Sequence, residues 1–182
     1  MLVFLLSLSY KRGVSFWGCA MSFQLVAQEL LGTSRYVLSA YLSDMTDQDI
    51  LVCPVQGAHH TAWQLGHLLL NECRMVEGVK AGSGVSLPTD FEHAHGKEVP
   101  LEATQGCLSV AEYKELMNSQ RAKTLALLME LEEGDFSQPA PEFMRGYAKH
   151  VSSVFMSIAS HELMHAGQIA VVRRRLGKPV VV

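Results

Sequence analysis

The sequence holds no cysteine scaffold: Cys19, Cys53, Cys73 and Cys107 stand far apart and form no CxxC pair. That pattern excludes a dense disulfide framework and fits a reducing compartment, so a cytoplasmic protein is expected. No run of about 20 apolar residues is present, and no segment reads as crossing a bilayer. Basic charge is not in excess either. The formal net charge of −3 lacks the electrostatic footprint of a nucleic-acid binder. No strand pattern appears beyond the short terminal Val180-Val181-Val182, and no repeat or linker divides the chain. What remains is 182 residues, 48% hydrophobic and 18% charged, the make-up of one globular domain with a substantial core.

The first 20 residues stand apart. Met1-Leu2-Val3-Phe4-Leu5-Leu6 is apolar, but Lys11-Arg12 follows it, reversing the order of a secretory signal. Trp17 is a poor neighbour for a lipoprotein cleavage site at Gly18-Cys19. Residues 1–20 are therefore expected to be a disordered extension, or to lie upstream of the true start, with a single domain over 21–182.

Apolar residues at Phe23, Val26, Ala27, Leu30, Leu31, Val37, Leu38 and Tyr41 predict a first helix over about 22–43. A loop with Asp47, Asp49, Pro54 and Gly57 leads to a second helix. That helix opens at Thr61-Ala62-Trp63-Gln64, read as a capping box, and runs to about Val79. It is apolar on nearly every side through Leu70, so it should be the most buried helix, with Cys73 packed as a small hydrophobe. Gly82, Gly84, Pro88, Gly96, Pro100 and Gly106 break residues 81–107 into a long crossover. A second capping box, Ser109-Val110-Ala111-Glu112, opens the third long helix, which Gly134 is expected to end. The fourth starts between Tyr147 and Ser152 and stops at Gly177, with Pro179 beyond. Arg173-Arg174-Arg175 reads as a set of cations complementing the dipole of its last turn. The whole predicts an all-α four-helix bundle with its long crossover between the second and third helices.

The chemistry concentrates in the last helix, in His161-Glu162-Leu163-Met164-His165-Ala166-Gly167-Gln168. Histidines four apart lie on one helical face, where both imidazoles can reach one metal ion. The run spells HExxH, the zincin pattern with its glutamate as general base. A downstream third ligand is missing: Val171 stands where a metzincin needs histidine, and no Asp or Glu follows Glu162. A further ligand must come from upstream, and His67 is the obvious donor. It sits in the apolar run Trp63-Gln64-Leu65-Gly66-His67-Leu68-Leu69-Leu70, where an unpartnered imidazole would be costly. If His67 points elsewhere, His60, His93 or His95 is next, although loop histidines such as His93 and His95 are expected to be solvated.

A histidine in a WxxGH-type segment of the second helix, with HxxxHxGQ on the last and Arg-rich residues before Leu176-Gly177, resembles the DinB-like (YfiT-type) metal-binding four-helix bundles over roughly residues 22–177. The resemblance implies that His67, His161 and His165 are the metal ligands, and that Gln168 and Gly167 belong to the terminal motif. Three neutral imidazoles leave a coordination position open, as in a catalytic site. The ion expected is zinc or nickel, although imidazole suits copper and iron as well and ligand type alone does not choose. Some family members are similar to S-transferases and isomerases in which the metal activates a low-molecular-weight thiol against an electrophile. A metal-dependent thiol S-transferase is thus the first expectation, with a small-molecule electrophile and a thiol as partners and a homodimer as the candidate assembly. The alternatives are a hydrolase using metal-activated water with Glu162 as base, or a non-catalytic metal- or ligand-binding stress protein. Glu162 and Gln168 are the catalytic candidates, and Glu162, about 100° around the helix from His161, is expected to face solvent or to stand behind the ligands.

Overall fold

The computed structural model describes residues 22–180, so the expectation for residues 1–20 lies outside what is described. Four long helices make the bundle: α1 (Phe23–Tyr41), α2 (Thr61–Val79), α4 (Val110–Glu130) and α5 (Val151–Arg175). The crossover carries one short helix, α3 (Phe91–His95), which the breaker-rich sequence had given no reason to expect. Turns of 3-10 helix sit at Asp49–Leu51, Glu133–Ser137 and Glu142–Met144. Among the described residues there is no strand, only an isolated bridge between Pro139 and His150, and no helix long and apolar enough to cross a membrane. Helix α1 packs mainly on α5, α2 packs on both α5 and α4, and α3 lies on α2.

The helix ends follow local chemistry. Ser22 Oγ accepts the amide of Leu25 to cap α1. The Ser109–Glu112 capping box forms with both arms, Ser109 Oγ accepting from the Glu112 amide and the Glu112 carboxylate from the Ser109 amide. The expected box at Thr61 does not form. Helix α2 begins one residue earlier in cap terms: His60 is the cap, its Nδ1 accepting the Trp63 amide at 3.1 Å. Gln64 is thereby released and donates to the His59 carbonyl instead. Gly134 does not end α4 either. The helix stops at Glu130 because Leu131 turns extended and packs beside the Phe136 cluster, leaving Gly134 inside the following 3-10 turn. Helix α5 does end as expected. Gly177 adopts φ +70°, and the amides of Gly177 and Lys178 return to the carbonyls of Arg174 and Arg173, a Schellman closure. Arg173 lies in the last turn, as expected, but is fully buried there, holding the Asp44 carboxylate and the carbonyls of Tyr41 and Pro179.

The core is split in two. One apolar cluster gathers Leu38, Leu42, Leu65, Leu69, Phe91, Tyr113, Ile169 and Val172. The other gathers Leu31, Val76, Leu128, Phe136, Met144, Val154, Phe155 and Ile158. Between them runs a polar layer to which every long helix contributes: Ser34 from α1, Glu72 from α2, Arg121 and Thr124 from α4, and Glu162 from α5. Arg121 forks onto both oxygens of Glu72 at 2.9 and 3.1 Å, reaches Glu162 at 3.0 Å, and donates to the Leu31 carbonyl at 2.6 Å. Arg35 pairs with Glu162 at 3.0 Å and Glu72 at 3.5 Å. Two cations thus face two carboxylates, the arrangement in which buried charge is tolerated.

Helix α2 is buried along its first ten residues without interruption, the most enclosed element of the bundle, as its composition implies. Gly66 lets α3 dock on it. A Cβ at Gly66 would come within 2.0 Å of the His95 ring, so Gly66→Ala should expel His95 and loosen the crossover. The expected cost is about 1–3 kcal/mol, the range for overpacking. Chemical denaturation checks it, and faster amide exchange around residues 91–96 should accompany the loss.

Candidate metal centre

His161 and His165 sit one turn apart on α5, and His67 faces them from the middle of α2. One ligand atom from each lies within 4.8 Å of the others. The Nε2 atoms of His161 and His165 are 3.1 Å apart, close to the roughly 3.3 Å between neighbouring ligand nitrogens when a tetrahedral ion holds each at about 2.0–2.1 Å. The His67 ring stands edge-on to both, with ring centroids 5.2 and 5.7 Å away. Two of the three donors are therefore at ligand spacing, and the third lies within 4.8 Å of them. The donor set could hold a divalent ion, which suits imidazole nitrogen.

Neighbours fix which nitrogen is free. Gln64 uses its amide nitrogen to donate to the His59 carbonyl at 3.0 Å, so its Oε1 must be the atom 3.2 Å from His165 Nδ1. His165 Nδ1 then carries the proton, leaving the Nε2 lone pair turned toward His161. His67 is stacked against Trp63 at 4.5 Å between centroids, nearly parallel, and Trp63 is itself stacked on His59 at 3.7 Å. Asn71, one turn on from His67, donates to its carbonyl at 2.7 Å. Sequence reading missed Gln64 and Trp63 in these roles. The available signal was a polar and an aromatic residue three and four positions before His67, within an apolar run on a helix.

Burial pushes all three imidazoles below their usual range. His165 is lowered to about 3 by burial and then by His161 and His67. His67 falls to about 4 by burial and the proximity of His161, opposed by a hydrogen bond with the His95 backbone. His161 is lowered by burial and by Lys97. At neutral pH the rings are neutral, the form that ligates. The folded pKa values lie below the unfolded value near 6.5, so below that pH the unfolded chain binds more protons. The metal-free protein is expected to lose stability as pH falls from about 6.5 toward 4, seen as a falling denaturant midpoint; a flat midpoint over that window would contradict the burial of these rings.

The other candidates resolve differently. His60 Nδ1 is used as the helix cap, so its Nε2 donates to the Ala103 carbonyl at 2.9 Å, and it is not a ligand. His93 is exposed. His95 is not solvated as expected: it is fully buried, and both its ring nitrogens are used by the Phe91 carbonyl and the Tyr113 hydroxyl rather than offered to the triad. Gln168 is exposed, near enough to hydrogen-bond His165. Glu162 does not face solvent. It is buried in the polar layer, its carboxylate taken by Ser34 at 2.5 Å, Arg121 and Arg35. A cavity of about 10 Å³, lined by Leu68, Glu72, Met75, Ile158, His161 and Glu162, lies between that layer and the site. Cys73, Cys53 and Cys107 are free. Cys73 is buried against Gln120, and burial raises its thiol to about 11, the state of a packing residue rather than a nucleophile.

Comparison with known proteins agrees with this architecture. No curated protein matches the sequence. A solved structure described as a conserved protein from Enterococcus faecalis superposes with a TM-score of 0.60 at 18% identity, covering 87% of this chain and all of that one, a likeness of fold. The model of the DinB superfamily matches residues 30–169, a span that takes in α2, the crossover and the histidine pair of α5, and the chain belongs to that superfamily.

Proposed function

We propose that this protein is a metal-dependent S-transferase, in which His67, His161 and His165 hold zinc or nickel and the open position receives a low-molecular-weight thiol for attack on a small electrophile. A divalent ion held there would lower the pKa of such a thiol, making a nucleophile at neutral pH. The protein's own residues do the rest. Gln64 holds the His165 proton on Nδ1, Trp63 stacks on His67 and fixes its plane, and Leu68 and Ile158 give the space beside His161 an apolar margin.

One observation carries the choice over water activation. The only carboxylate in the HExxH run, Glu162, has its oxygens engaged by Ser34, Arg121 and Arg35. A hydrolase would need it free as a base, whereas a metal-bound thiolate needs no base. Elemental analysis of the purified protein, followed by an electrophile screen with and without added thiols, tests the reading. Turnover is expected only with thiol, and Glu162→Gln should lower it modestly at temperatures where the variant stays folded. Thiol-free hydrolysis that falls about 10²–10⁴-fold in Glu162→Gln would instead establish Glu162 as a general base. Absence of turnover with every electrophile would favour a binding protein.

A further inference from the structure

The three imidazoles differ in what holds the nitrogen turned away from the site. His165 Nδ1 has Gln64 Oε1 at 3.2 Å. His67 is stacked on Trp63, and Asn71 Nδ2 stands 3.3 Å from its ring nitrogens. His161 makes a single hydrogen-bond contact among the described residues, that of its Nε2 with His165. When that nitrogen ligates, Nδ1 carries the proton and becomes a donor. A ligand imidazole almost always gives this proton to a carboxylate, a carbonyl or a water.

The cavity of about 10 Å³ lies beside this ring. Ile158 and Glu162 place it one turn before His161 and against the polar layer, while neither His67 nor His165 lines it. It therefore stands behind the ligand, outside the space the three nitrogens share. Its volume suits one water molecule, which needs about 10–15 Å³ and two to four polar partners. Glu72, His161 and Glu162 line it and can supply them.

Glu162 says most about the occupant. Its side chain is 2% exposed, and its Oε1 accepts no aligned hydrogen bond, although Arg35 Nε lies 3.0 Å away as an ion pair. A buried oxygen with a spare lone pair is costly unless a donor reaches it. A cation is not required, because Arg35 and Arg121 already balance Glu72 and Glu162. The occupant must be small and neutral, and must both donate and accept. Water meets all of these demands.

We propose that this cavity is a binding site for one enclosed water, which accepts from His161 Nδ1 and donates to the Glu162 carboxylate, making Glu162 a positioning residue for the metal ligand. The proposal rests on the three-histidine metal reading and is independent of the thiol. Glu162 lies about 100° around the helix from His161, so it acts on that ring through the water. The water touches the back of an imidazole rather than the open coordination position, and it is not a nucleophile. The buried charges of the polar layer then orient the metal centre as well as holding the helices together.

The test uses the full-length protein loaded with zinc. A high-resolution crystal structure of the wild type should show one water within hydrogen-bond distance of both His161 Nδ1 and a Glu162 oxygen. Zinc affinity is then read by competition with a chromogenic chelator, at a temperature where each zinc-free variant is folded by circular dichroism. Glu162→Gln and Glu162→Leu both remove the charge, but only glutamine keeps an acceptor oxygen. Glutamine should retain most of the affinity and leucine should lose about tenfold more, the lower end for an outer partner of a ligand. Ile158→Phe, which fills the cavity and leaves every charge in place, should lose about as much as leucine. Equal affinities in the glutamine and leucine variants would overturn the positioning role. A wild-type cavity without water, or with His161 Nδ1 turned to another acceptor, would overturn the water site and leave the triad standing. Failure of the wild type to bind zinc would overturn the triad and this proposal with it.

Discussion

His165→Ala should abolish stoichiometric divalent-metal binding while leaving the helical content intact. The pair spaced at 3.1 Å would supply two of the three nitrogens to a bound ion, and alanine removes one of them. The loss should exceed the roughly 10–100-fold that removing an outer partner of a ligand costs. Gln64→Leu supplies that smaller effect for comparison, because it keeps all three imidazoles and takes away the acceptor of His165 Nδ1 together with the bond to the His59 carbonyl. The fold should survive, since both apolar clusters are built from residues other than the triad. Elemental analysis after dialysis reads the metal and far-ultraviolet circular dichroism reads the helices. Wild-type metal content in His165→Ala would remove this histidine from the ligand set.

The second large effect falls on stability. Arg121→Met should cost about 3–5 kcal/mol, because Glu72 and Glu162 would be left in the core with Arg35 as their remaining cation. For a domain of this size that lowers Tm by about 6–20 °C. Replacing the four charged members together, Arg35, Glu72, Arg121 and Glu162, by apolar residues of similar volume should recover most of the loss, since the burden lies in unpaired charge. Thermal unfolding of the single and quadruple variants measures both. A shift below about 2 °C for Arg121→Met would mean that water reaches the layer and shields it.

The bundle could be read from the chain because its signals are local. Apolar residues at helical spacing, the Ser109–Glu112 box and Gly177 with Pro179 each act within a few residues, and each reappears in the structure. Helix α3 could not be read this way. Five residues carry no periodicity, and the helix is held by His95 docking on Gly66 and Tyr113, contacts that packing creates. The convergence of His67, His161 and His165 was readable from one spacing and one histidine in an apolar helix. Gln64 was not, because its contact with His165 spans 101 positions of sequence. Glu162 shows the limit most clearly. Its rotation away from His161 followed from helical geometry, but its burial did not, because that face of α5 is covered by α1 and α4, whose Ser34, Arg35 and Arg121 meet the carboxylate.

The stack of His59, Trp63 and His67 has an optical consequence. The chain has two tryptophans, and Trp63 is the one among the described residues, its indole sandwiched between two imidazoles at 3.7 and 4.5 Å. A positive charge placed on His67, by a proton or by a bound ion, meets the π face of the fluorophore directly. The emission of Trp63 is therefore wired to the state of the site. With Trp17 changed to phenylalanine, occupancy could be followed in solution, without a chromogenic metal and without a substrate.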